Sequence, residues 1–147
     1  MREILFKAKR VDNGEWVYGH YVHQYGADMI YLPDGTDREY GFDNYHIDKE
    51  TLCEYTGLTD KNGKRIWEND IVCSSEYKGL HCVFYGKHNI SCCGCCYQSH
   101  QSVGFYISKT EDALTSAEED EWGKWEVIGN RFDNSELLTA QRIENGS

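Results

Sequence analysis

Residues 51–72, TLCEYTGLTDKNGKRIWENDIV, constrain the fold more than any other stretch of this chain. Asp60-Lys61-Asn62-Gly63 lies at their centre. Asn-Gly between apolar-bearing runs is a strong short-range sign of a β-hairpin, because both residues tolerate the positive φ that a tight turn demands. Tyr55-Thr56-Gly57-Leu58 and residues 65–72 supply the two strands. Glu68-Asn69-Asp70 then reads as a turn into a buried strand at Ile71-Val72. The segment organises a fold without announcing any chemistry.

The same turn chemistry occurs near the start. Residues 4–9 alternate apolar and charged side chains, Asp12-Asn13-Gly14 makes a turn, and residues 16–22 (WVYGHYV) read as a strand, so 3–23 is a second hairpin. Met29-Ile30-Tyr31-Leu32 is a short strand ended by Pro33-Asp34-Gly35, and residues 34–46 read as a loop. Residues 47–53 fit either a helical turn or a strand. Further strands fall at Val83-Phe84-Tyr85, at 103–108 and at 125–130. Residues 110–121 carry six acids and read as a short capped helix or an acidic loop. Ser135-Glu136-Leu137-Leu138 starts a brief terminal turn.

Six to eight short strands with little helix predict an all-β fold, a small barrel or sandwich, in one domain over 1–140 with a frayed tail at 141–147. Aromatics at 14% and eleven tyrosines agree with pleated, half-buried surfaces. There is no Gly-x-Gly-x-x-Gly or Gly-x-x-x-x-Gly-Lys, and no alternating βα pattern, which excludes dinucleotide-binding and P-loop architectures.

The formal net charge of -10 makes nucleic acid an unexpected partner. Tyr40, Phe42 and Tyr45, like Trp16, Tyr18 and Tyr21, have the makings of a stacking platform for single strands. Without accompanying cations they read as wall or interface. No apolar run is long enough to span a bilayer and the N-terminus has no signal-peptide pattern, so the expected compartment is a cytosol.

One stretch has chemical potential. Cys92, Cys93, Cys95 and Cys96 form two overlapping Cys-x-x-Cys spacings around Gly94, a separation that lets two thiolates share a tetrahedral zinc. Cys73 and Cys82, or His81, His88 and His100, are the candidate further ligands. Against zinc stand the crowding of the four cysteines, the lack of a second separate pair, and a core that needs no metal staple. Reduced cysteines packed as small hydrophobes are the competing reading. A cysteine nucleophile paired with His88 or His100 lacks any motif context. Neither a catalytic residue nor a required cofactor is therefore expected.

The blocks REILFKAKR (2–10), NGEWVYG (13–19), YTGLTDKNGKRIWENDIV (55–72), VIGN (127–130) and SELL (135–138) resemble the YopX family of phage and prophage proteins. The blocks keep the family's order across residues 2–138, and the central one is the most specific. Asn69 stands where the family usually has Gly, and Ser135 where it usually has Pro. Asn accepts positive φ and Ser can cap a turn, so neither departure threatens the fold. The resemblance implies a mainly β, mobile-element protein in a bacterial cytosol, with no established activity and no catalytic residues to carry over. The function expected is a non-enzymatic module that binds a protein partner or assembles into a homo-oligomer. The alternatives are a zinc-stabilised interaction domain and a nucleic-acid-associated accessory protein.

Overall fold

The computed structural model describes residues 3–33, 44–90, 100–108 and 119–139. These form ten strands in two open antiparallel sheets: β1 Phe6–Lys9, β2 Trp16–Gln24, β3 Ala27–Tyr31, β4 Asn44–His46, β5 Cys53–Thr59, β6 Arg65–Trp67, β7 Asp70–Ser74, β8 Tyr77–Ile90, β9 His100–Ser108 and β10 Glu126–Asn130. The fold is all-β, but not a barrel: among the described residues neither sheet closes. Short strands and frequent turns serve both architectures, and closure depends on long-range pairing that local patterning does not encode. The chain divides into two compact units, Met1–Gly57 and Leu58–Ser147.

In the first unit the strand order is β4-β3-β2-β1-β5. Side chains alternate between faces along each strand, and one face gathers Ala8, Val17, Ile30 and Ile47 into a core, with Tyr21, Leu52 and Tyr45 packed against it. A 3₁₀ turn at Lys49–Thr51 precedes β5, capped by the Asp48 carboxylate, which accepts from the Glu50 amide at 3.0 Å. This is one of the two forms expected for 47–53. Gly19 is needed for packing: a Cβ there would meet the Tyr31 carbonyl oxygen at 2.0 Å.

In the second unit the sheet order is β10-β7-β8-β9. Neighbouring residues of one strand supply different cores. Val72, Val83, Ile107 and Val127 pack with Ile66, Trp122 and Trp125, while Ile71, Cys82, Phe84 and Tyr106 pack with Leu80, Leu137 and Leu138. Both faces are therefore buried, which explains why Ile71-Val72 carries no polar alternation. Residues 135–139 form the expected terminal turn as a short helix. Ser135 is its first residue, a position Pro also fits, and Asn134 precedes it. A further 3₁₀ turn covers Glu119–Lys124. The rest of 110–121, the tail at 141–147 and most of the loop at 34–46 lie outside the described residues, but Asn44–His46 is strand rather than loop.

The central hairpin is present, with a different turn from the one expected. Gly63 has φ 80°, whereas Asn62 keeps negative φ. The Gly63 amide donates to the Asp60 carbonyl at 3.0 Å and the Asp60 amide to the Lys64 carbonyl at 2.7 Å. This is the longer hairpin connection in which only glycine adopts the left-handed conformation. Asp60 selects it. Its buried carboxylate accepts from the amides of Asn62 at 2.8 Å and Lys64 at 2.9 Å through Oδ1, and from the amide of Val127 at 2.9 Å through Oδ2. The Asn13-Gly14 turn repeats the logic with Gly14 at φ 73° and the Asn13 side chain accepting from the Glu15 amide. The two-residue turn with both φ positive is Tyr25-Gly26, at 52° and 76°.

Burial pushes the Asp60 carboxyl up, but the Val127, Lys64 and Asn62 amides together outweigh it and hold it below the usual carboxylate range. Its stabilisation is therefore present above the unfolded value and lost as pH falls through the folded one. Replacing Asp60 by Ala orphans three amide donors, the one at Val127 fully buried, and should cost about 3 kcal/mol in urea denaturation. Asp60→Asn should cost less, and should flatten the loss of stability below about pH 4.

Candidate functional site

In each unit one sheet face exposes aromatic or aliphatic side chains. In the second unit, β8 and β9 pair in register from Cys82↔Ser108 to Ile90↔His100. Val83 and Ile107 lie opposite each other in the core. Tyr85↔Phe105 and Lys87↔Val103 continue the same face outwards. There Tyr85 is 54% and Val103 61% exposed, and the Tyr85 and Phe105 rings meet edge-on at 5.0 Å. The apolar pattern of the core thus runs past the core's edge into solvent.

Beside this patch lies an open cleft of about 440 Å³. Phe84 and Tyr106 line it, with ring centroids 5.5 Å apart, as do Tyr85, Gly86 and Lys87. Arg131, Glu68 and Asn69 complete the lining. Arg131 places its guanidinium 5.3 Å from the Phe84 ring centre and donates to Asn69 Oδ1 at 3.3 Å. Asn69 has φ 70°, the left-handed conformation that Gly or Asn adopts at least cost. Its amide donates to the Val83 carbonyl and its carbonyl accepts from the Arg131 amide. The turn anticipated at residues 68–70 is completed by Asp70, whose buried carboxylate accepts from the Trp67 amide at 2.8 Å.

In the first unit the face opposite the core carries Lys7 and Lys9 from β1, Trp16, Tyr18, His20 and Val22 from β2, Met29 and Tyr31 from β3, and Asn44 and His46 from β4. The register sets Lys9 beside Trp16, Lys7 beside Tyr18, His20 beside Tyr31 and Met29 beside His46. Lys7 and Lys9 place their ammonium groups 4.6 and 5.5 Å from the centre of the Trp16 ring. Lys7 is buried there and Lys9 half-buried, so register brings one partly accessible cation, Lys9, to the exposed aromatic residues. The aromatic set is also redrawn. Tyr21 and Tyr45 turn to the core face, where the Tyr21 hydroxyl donates to Asp28 Oδ1 at 2.5 Å and Arg10 lies 4.1 Å over Tyr45. Tyr40 and Phe42 lie outside the described residues.

Asp28 also meets His23 Nδ1 at 2.8 Å. The Tyr21 hydroxyl first, then His23, hold the Asp28 carboxyl below its ordinary range, and the same bond raises the Tyr21 phenol. This clasp ties β2 to β3 across the hairpin.

Cys92, Cys93, Cys95 and Cys96 lie outside the described residues, as do the side chains of His88 and His100. Cys82 is buried in the core opposite Ile71 and Ser108, and Cys73 lies opposite Glu126. His81 presents its ring edge-on to Trp125 at 4.9 Å. Among the described residues no three His, Cys, Asp or Glu side chains are grouped to hold a metal ion.

With this geometry in place, comparison with known families is decisive: the YopX family model matches residues 5–139. The chain belongs to the YopX family. No curated protein matches it significantly. Family membership points to a phage-associated protein and assigns no specific activity. The central block reaches the cleft through Glu68 and Asn69, and Arg131 lies one residue beyond the VIGN block.

Burial, and next the neighbouring Glu126, push the Cys73 thiol up, against a smaller opposing effect of Lys61. The reactive form of a cysteine is the thiolate. Cys73 should therefore alkylate more slowly than a model thiol at neutral pH in the native protein, and Cys53 and Cys82, buried at 1% and 4% exposure, should do so for want of access. Peptide mapping after timed iodoacetamide treatment checks this.

Proposed function

We propose that this YopX protein is a non-enzymatic assembly module whose contact surface is the outer part of the β8–β9 hairpin. The observation that carries the reading is the continuation of a core-forming face into solvent at Tyr85 and Val103. Aromatic and aliphatic side chains exposed together on a sheet face are typical interface material. The sequence of β9, HQSVGFYIS, contains no Asp, Glu, Lys or Arg. In a chain of net charge -10, a second acidic copy is repelled least at a face whose described residues carry no carboxylate, and Lys87 there is cationic. Self-association through this hairpin is the arrangement these features favour. The reading requires no cofactor, no membrane and no catalytic residue, and it places the protein in the host cytosol. No helix among the described residues is long and apolar enough to cross a membrane.

Native mass spectrometry under reducing conditions tests it. The wild type should appear as a closed oligomer, and Val103→Glu, at an exposed position, should be a folded monomer with a melting temperature within about 3 °C of the wild type. A wild type that stays monomeric at about 100 times a micromolar dissociation constant overturns self-assembly. The same spectra with and without a chelator read whether the cysteine cluster carries zinc.

A further inference from the structure

We propose that the solvent face of the first unit's sheet binds single-stranded nucleic acid. This is a site separate from the β8–β9 surface and does not depend on it. The argument rests on where charge is placed, not on its total. Twenty-five acidic residues outnumber fifteen basic ones in the chain, yet none of the described residues that β1–β4 present on this face is Asp or Glu. The one acidic residue within these strands, Asp28, has its carboxylate on the core face with Tyr21. What the face does carry is Lys9, Trp16, Tyr18, His20, Tyr31 and His46. Tyr18 is 46% exposed, His20 and His46 are exposed, and Tyr31 is half-buried.

The arrangement fits one class of ligand. Alternate residues along a strand stand about 7 Å apart and neighbouring strands about 4.8 Å apart, so Tyr18, His20 and Tyr31 form a flat group of rings on adjacent positions. Unstacked bases each offer a π-face to such rings, and stacking of this kind tolerates any sequence. Lys9, held against Trp16, and the two imidazoles stand at the border of the rings, where a strand's phosphates run. A duplex keeps its bases stacked and must be entered by an element that fits a groove, which an open sheet face does not supply. An acidic peptide would meet Lys9 and leave the rings unmatched. The acidic remainder of the chain repels a polyanion, so contact is confined to this face and affinity is modest and salt-dependent.

The test uses the full chain and a fluorescein-labelled oligothymidine of about 15 nucleotides, read by anisotropy at about 50 mM salt. Saturable binding with a dissociation constant of order 10 µM is expected, weakening as salt is raised. Tyr18→Ala with Tyr31→Ala should weaken it about ten-fold or more. His20→Glu, an exposed change that leaves the fold intact by circular dichroism, should weaken it comparably by placing a carboxylate on the face. Three results would each overturn the proposal: no anisotropy change with wild type up to about 100 µM protein, a folded His20→Glu variant that binds as tightly as wild type, or displacement of the oligonucleotide by polyglutamate at equal charge.

Discussion

A single carboxylate organises the second unit. Asp60 accepts three main-chain amide hydrogens, two from its own turn and one from Val127, 67 residues further along the chain. The local bonds set the turn between β5 and β6. The distant one joins that turn to β10, and the Lys61 amide reinforces the junction by donating to the Trp125 carbonyl at 2.9 Å. Trp125, in the core that holds Ile66, Val72 and Val83, then stacks on the exposed Tyr77, with planes 5° apart and centroids at 5.3 Å. An ionised group is costly to bury unless its lone pairs are filled. Here they are filled by the backbone that must be positioned.

The same economy recurs at Asn69 and Asp70. One residue turns the chain through the left-handed region and the next fastens the turn to the Trp67 amide. In the most specific block of the YopX family, Asp60, Asn69 and Asp70 thus each serve backbone geometry. The exposed aromatic and aliphatic side chains lie elsewhere, on strand faces assembled from residues far apart in the chain.

Much of the fold was legible because turn chemistry and alternation are local. Asn13-Gly14 and Asn62-Gly63 marked two hairpins, and the departure at Asn69 was read correctly as a residue able to take positive φ. The geometry of the Asn62-Gly63 turn was not legible, because a buried carboxylate and a partner at Val127 decide it. Nor was the length of β8: only Val83-Phe84-Tyr85 has strand composition, while pairing to β7 and β9 carries the strand across Gly79 and Gly86. The exposed aromatic faces failed to show for a related reason. Trp16, Tyr18 and His20 alternate visibly, but Lys7 and Lys9 join them only through register, and net charge averages over surfaces that the sheet keeps apart.

The distribution of indoles has an optical consequence. Trp67, Trp122 and Trp125 are all buried in the second unit, at 6%, 3% and 2% exposure, and Trp16 alone belongs to the first. Intrinsic fluorescence therefore reports mostly on one unit, whereas far-ultraviolet dichroism sums the strands of both. If the units open at different denaturant concentrations, the two signals separate, and a single unfolding free energy ceases to be defined for the chain.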